Sequence, residues 1–253
     1  MSVFLKIFIG VVVYLLFLVI YLPANWLASV APLPNNIMMS GVEGTLWNGK
    51  AAMVTIEQRQ IEQLNWQLSP WGLFVGQANI DFTVGNRATP VSGKGSLSWS
   101  LSGISGNNIR LEVPNNFLLA GMRLPFKTQI SGDVSLMVEV LEQGKPWCEQ
   151  LRGKLFLNST DVQNQFGMYP LGNIELNLSC LDGQLQLATD ETLNSLGLSG
   201  TATLGESNIV KVSAKIKPTD AQPEDLRKSL SFLGRQDSQG YYPINYQGSI
   251  PSL

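Results

Sequence analysis

The chain has 253 residues, with 17 Lys+Arg against 19 Asp+Glu and a formal net charge of −2. Its 44% hydrophobic and 14% charged content excludes disorder, and the near-neutral balance leaves no basic footprint for nucleic acid. With His 0 there is no imidazole base, no Ser-His-Asp or Cys-His machinery and no histidine metal site. Two cysteines cannot complete an all-thiolate zinc site, so catalysis would have to run on carboxylates or lysine.

Residues 1–22 are expected to form a transmembrane signal-anchor. Val3 to Leu22 is apolar except for Lys6, and roughly 20 helical residues span the ~30 Å hydrocarbon core. Pro23 stops the run, and Tyr21 and Trp26 suit the outer interface. A cleaved signal peptide is the competing reading. Its best site, Ser29-Val30-Ala31, is followed by Pro32, which obstructs cleavage, and the apolar run exceeds the ~7–15 residues of a signal core. Lys6 lies before the span, while the first charges after it are Glu43 and Lys50. That bias puts the N-terminus in the cytoplasm and the body on the far side, the periplasm of a bacterium.

Residues 23–40 read as a linker, with Pro32 and Pro34 stiffening Ala28 to Asn36, and 41–253 as a β-rich domain. Apolar and polar residues alternate in Leu64–Leu68, Ile80–Val84, Ser96–Leu101, Ile109–Val113 and Ile174–Leu178, and again around Lys211 and Lys215. The expected fold is mainly β: a large, twisted antiparallel sheet of about 11–13 strands with one wet face. Gly132, Gly153, Gly172, Gly183 and Gly200 each open an alternating run at irregular spacing, which predicts a meander of hairpins and not a fixed-period solenoid. Ser98 and Ser100 are taken as positions along one strand edge.

One or two short covering helices are expected: Asn115 to Ala120, and Thr219 to Leu233. In the second, Thr219 or Asp220 would cap the start, Leu226, Leu230 and Leu233 would share one face, and Gly234 would end it. Tyr241 to Ile250 reads as the last strand.

Cys148 and Cys180, in an oxidising compartment, read as a disulfide across two strands; a free or redox-active pair is the alternative, without C-x-x-C spacing to favour it. Gly44 to Ala51 comes one residue short of a phosphate loop, but strand-like sequence follows where a helix is required, so a strand–turn–strand is expected. Asp190-Glu191 and Glu224-Asp225 read as solvated surface. Trp47, Trp66 and Trp99 lie in alternating runs and read as core, or as the lining of an apolar groove.

The string Val42-Glu43-Gly44-Thr45-Leu46-Trp47-Asn48-Gly49-Lys50-Ala51, followed by Trp66-Gln67-Leu68-Ser69-Pro70 and Leu73, resembles the N component of the bacterial type II secretion system, the general secretion pathway protein N. So do the single N-terminal span, the two cysteines and the Tyr242–Gly248 ending. The family motif residues, taken as structural, are Gly44, Thr45, Trp47, Gly49, Ala51, Trp66 and Pro70. The resemblance implies a non-enzymatic inner-membrane accessory subunit that supports export of folded proteins from the periplasm. Other subunits of that system are its implied partners, and no cofactor or catalytic residue carries over. The alternation also looks like the groove-forming sheets of envelope proteins that handle lipid, so lipid or another apolar ligand is a second candidate partner.

Overall fold

The computed structural model describes residues 3–26, 37–57, 59–120, 127–165 and 167–249. The expected Pro-containing linker at Ala28 to Asn36 lies outside the described residues. Helix α1 spans Val3–Ile20, and its described side chains are exposed. Among the described residues it is the one helix long and apolar enough to cross a membrane.

Thirteen strands follow among the described residues: β1 (Ile37–Gly44), β2 (Asn48–Ile56), β3 (Arg59–Ser69), β4 (Gln77–Val84), β5 (Ser92–Ser100), β6 (Gly103–Pro114), β7 (Gln129–Gln143), β8 (Cys148–Asn164), β9 (Gly167–Leu181), β10 (Gln184–Thr189), β11 (Leu198–Leu204), β12 (Ile209–Ile216) and β13 (Tyr242–Ser249). They form one antiparallel sheet in chain order, β1 to β13, so the meander expected from the glycine-led runs is what forms. The sheet starts at Ile37, four residues before the Gly41 expected for it.

Directly paired residues lie on the same face, so the register shows where the alternation leads. One row runs Gly49–Trp66–Phe82–Gly95 across β2 to β5. It resumes as Ile109–Val138–Gly153–Leu178 across β6 to β9, then Leu187–Ala202–Val212 across β10 to β12. A parallel row carries Leu64, Val84, Gly93, Leu111, Leu136, Leu155 and Leu176. Asn65, Thr83, Lys94 and Arg110 occupy the other face. One face is therefore continuously apolar and the other polar, as period-two alternation requires. Most apolar-face side chains are only half-buried, and the fully buried ones, such as Ala51, Val54, Ile109, Val138 and Ile174, are few.

The register shifts once between β5 and β6, and several times along β7–β8 and β8–β9. Gly132 marks one of these bulges. Its φ of +97° and the Ser159 carbonyl against it leave no room for a side chain.

Helix α2 (Pro70–Phe74) sits between β3 and β4, where no helix is expected from the residue pattern. Helix α3 (Asn115–Leu118) fills the expected first position. The second expected helix is shorter than Thr219 to Leu233: α4 covers Glu224–Ser229, and a 3₁₀ turn continues over Leu230–Leu233. Pro223 precedes it and no side chain caps it. The buried Gln222 instead ties the preceding loop. Its amide donates to the carbonyls of Leu196 and Lys217, and its oxygen accepts the Thr219 N–H at 3.1 Å. Leu230 is the one fully buried leucine of the predicted face; Leu233 stays exposed.

Among the described residues, the free edges are β1 and β13. Ser98 and Ser100 on β5 pair with β4 and β6, so the expectation that they line an edge is corrected. Strand order depends on which strands pair, and alternation within a strand is blind to it.

Candidate functional site

The family-motif residues lie on or near the hairpin where α1 meets the sheet. A helix leaves its last carbonyls without intrahelical partners. The Val19 carbonyl would accept the N–H of residue 23, but that residue is Pro23, which has none. The Trp47 indole N–H, from the turn between β1 and β2, donates to that carbonyl at 2.8 Å. The Leu22 N–H also reaches it at 3.3 Å. One step on, the Leu46 N–H donates to the Leu22 carbonyl at 2.9 Å, and Pro23 forms a β-bridge with Thr45. The end of the helix is thus extended into the hairpin by backbone and indole bonds together.

The remaining motif residues shape that hairpin. Gly44 adopts a φ of +87°, open to glycine at low cost, and an added Cβ would strike the Asn48 carbonyl. Thr45 closes the turn: its N–H donates to the Asn48 carbonyl at 3.0 Å, and its hydroxyl accepts the Asn48 N–H at 3.2 Å. Trp66 lies beside Gly49 in the register, and its ring occupies the space a Gly49 side chain would need. Its indole N–H donates to the Leu46 carbonyl at 3.0 Å. Ala51 is 1% exposed, and Pro70 opens α2 at its first turn, where a missing N–H costs nothing. All seven motif residues therefore lie on or beside one collar. Glu43 and Lys50 pair at 3.0 Å on its exposed outer surface, a contact that contributes little.

Cys148 and Cys180 form a disulfide with Cα atoms 6.1 Å apart, joining the start of β8 to the end of β9. Next to it, the Trp147 and Cys148 N–H groups both donate to the Gly183 carbonyl, and the Trp147 indole donates to the Gly205 carbonyl at 2.8 Å.

The acidic pairs diverge. The Asp190 carboxylate accepts the Thr192 hydroxyl and N–H, which hold its pKa below the ordinary value. Glu191 accepts the Tyr241 hydroxyl at 2.6 Å, which raises the tyrosine pKa. Lys215 stacks over the same ring, with its Nζ 4.1 Å from the centroid. Glu224 is drawn below its ordinary pKa by the bond from Lys228, one turn along α4. Each pair does local structural work. Among the described residues, no group of three or more acidic, Cys or His side chains is placed to hold a metal.

Of the three tryptophans read as core, Trp47 and Trp66 are half-buried in the collar, while Trp99 is 69% exposed. Trp99 does lie on the apolar face, paired with Ala78 and Ile104, but at its uncovered end. The capping role of Trp47 links residues 28 positions apart. The usable signal was Pro23, four residues after Val19, which announces an unpaired carbonyl.

The family model described as "Type II secretion system (T2SS), protein N" matches residues 35–245. The chain belongs to this family. Type II secretion system protein N of Aeromonas hydrophila is 34% identical over 94% of this chain and 95% of its own length. The Vibrio cholerae protein of the same name is 30% identical over 92% of each chain, and the Pectobacterium carotovorum one 24% over 95% and 94%. No solved structure matches. The match takes in the whole collar hairpin and both cysteines, and it stops within β13.

Proposed function

We propose that the chain is a non-enzymatic accessory subunit of a type II secretion system. In this reading α1 spans the inner membrane with its N-terminus in the cytoplasm, residues 1–22 form the anchor, and the sheet stands in the periplasm and supports export of folded proteins. The observation that carries it is the collar. The family's own string is spent on joining an apolar helix to a sheet, which is the work of an anchored scaffold. A sheet with two unpaired edges can take on further strands, so β1 and β13 are the places where other subunits of the system would dock by strand addition.

The test is deletion of the gene, combined with photo-crosslinking from Met38 on β1 and Asn245 on β13. Secreted substrates should accumulate in the periplasm, and a subunit of the system should be captured from at least one edge. Unimpaired secretion with no capture from either edge refutes the role. A reporter fused after Ser249 should be active only in the periplasm; cytoplasmic activity reverses the topology.

A second reading rests on the apolar face, whose rows run from β2 to β12 and stay half-exposed. That face suits a lipid or another apolar ligand. Native mass spectrometry of the full chain, extracted gently from membranes, should then retain bound lipid in fixed stoichiometry. Loss of all lipid on extraction removes this reading and leaves the first intact.

A further inference from the structure

We infer that the body makes a second contact with the bilayer: the hairpin ends of β3–β4 and β5–β6 rest in the membrane interface beside α1. This rests on the reading that α1 spans the membrane.

Three features carry it. The first is position. The turn between β1 and β2 holds the end of α1, and the Leu68 N–H donates to the Trp47 carbonyl at 2.7 Å, so β3 delivers α2 next to that turn. Gln77 pairs with Ser100, which sets the β5–β6 turn at the same end of the sheet. With strands ~4.8 Å apart, these tips lie within about 20 Å of the helix.

The second is exposure. Trp71, Phe74 and Val75 on and after α2 are 78%, 83% and 74% exposed, and Leu101 at the β5–β6 turn is fully exposed beside Trp99. Large apolar side chains clustered at loop tips, with tryptophan among them, match the interface belt of a bilayer.

The third is charge. No Asp, Glu, Lys or Arg occurs in Gly44–Gly49, Ser69–Ile80 or Gly95–Ile109. Later tips at the same end carry Lys145, Asp182 and Glu206. At the opposite end, the exposed Phe232 lies between Lys228 and Arg235. The charge-free tips are those adjoining the helix; the nearest charges, Glu43 and Lys50, flank the first of them as a pair. Charge is costly on a loop tip that enters the acyl-chain boundary, and it is missing from the tips beside the helix while later tips at the same end keep it.

The contact fixes the tilt of the sheet, because a helix alone is a swivel and a helix with two tips beside it is a tripod.

The test uses the full chain in phosphatidylethanolamine–phosphatidylglycerol vesicles, with and without bromine on the acyl chains. The emission difference between the wild type and Trp71→Phe reports Trp71 alone. Bromine should lower that difference signal, as for a ring buried about 5–10 Å into the headgroup–acyl boundary, and iodide outside the vesicles should leave it unchanged. Phe74→Asp with Leu101→Asp should keep the chain on floating vesicles through α1 but open Trp71 to iodide. A Trp71 signal untouched by bromine, whether open to iodide or shielded by protein, overturns the inference while flotation upholds the span. Failure to float refutes the span, and the interface contact falls with it.

Discussion

Substituting Gly49 by alanine isolates the packing of the collar. A Cβ at Gly49 would overlap the Trp66 ring and lie 2.9 Å from the Thr45 carbonyl oxygen. The oxygen belongs to the tight turn and cannot retreat, so the ring has to move. Overpacking of this kind costs typically 1–3 kcal/mol. A displaced Trp66 also loses its bond to the Leu46 carbonyl, worth about 1 kcal/mol. The sum, about 2–4 kcal/mol, lowers the melting temperature of a domain this size by roughly 4–16 °C. The assay is thermal unfolding of the detergent-solubilised full chain, followed by tryptophan fluorescence and circular dichroism. Trp66→Phe removes the overlapping ring atoms and leaves the Thr45 carbonyl contact, so Gly49→Ala should cost less in that background than in the wild type. Equal stability of Gly49→Ala and wild type, or an undiminished cost in the Trp66→Phe background, refutes the packing argument.

Reducing the Cys148–Cys180 disulfide, which closes a separation of 32 residues, should cost about 3–4 kcal/mol, read as the difference between denaturant curves with and without reductant. Gln222→Ala should destabilise by about 2–4 kcal/mol, because it orphans the Leu196 and Lys217 carbonyls and the Thr219 N–H; proteolysis between β10 and β13 should quicken accordingly. Asp190 and Asp237 both have pKa values held below 3.8, the first chiefly by the Thr192 hydroxyl, the second by the Tyr241 N–H. Their contribution is present above the ordinary aspartate value and is lost as pH falls through the lowered folded values. Acid titration from pH 5 downward should therefore lose stability below about pH 4, with a shallower slope in Asp190→Asn and Asp237→Asn.

The strands were legible because each has one wet face. Leu64–Leu68 and Ile174–Leu178 declare themselves by alternation, and the register places those leucines on one face. Helix α2 was illegible for the same reason: Pro-Trp-Gly-Leu-Phe is too short to show a helical period, and its apolar side chains turn outward. The Thr219–Leu233 prediction overshot because Gln222, and no Ser, Thr or Asp cap, organises the loop before α4. The collar was half-legible. Its residues stood out as a string, but their purpose lies in a bond from Trp47 to Val19 and another from Trp66 to Leu46, pairings across chain distance that local pattern cannot encode.

Spatial order in this sheet equals chain order, from β1 to β13. A chain threaded across a membrane from its N-terminus therefore never has to store a strand while awaiting a distant mate: each new segment finds its template already laid down. Loop-closure entropy stays small at every addition. Growth begins against the helix and proceeds outward, and β13, the last segment to arrive, is left presenting a fresh template to whatever comes next.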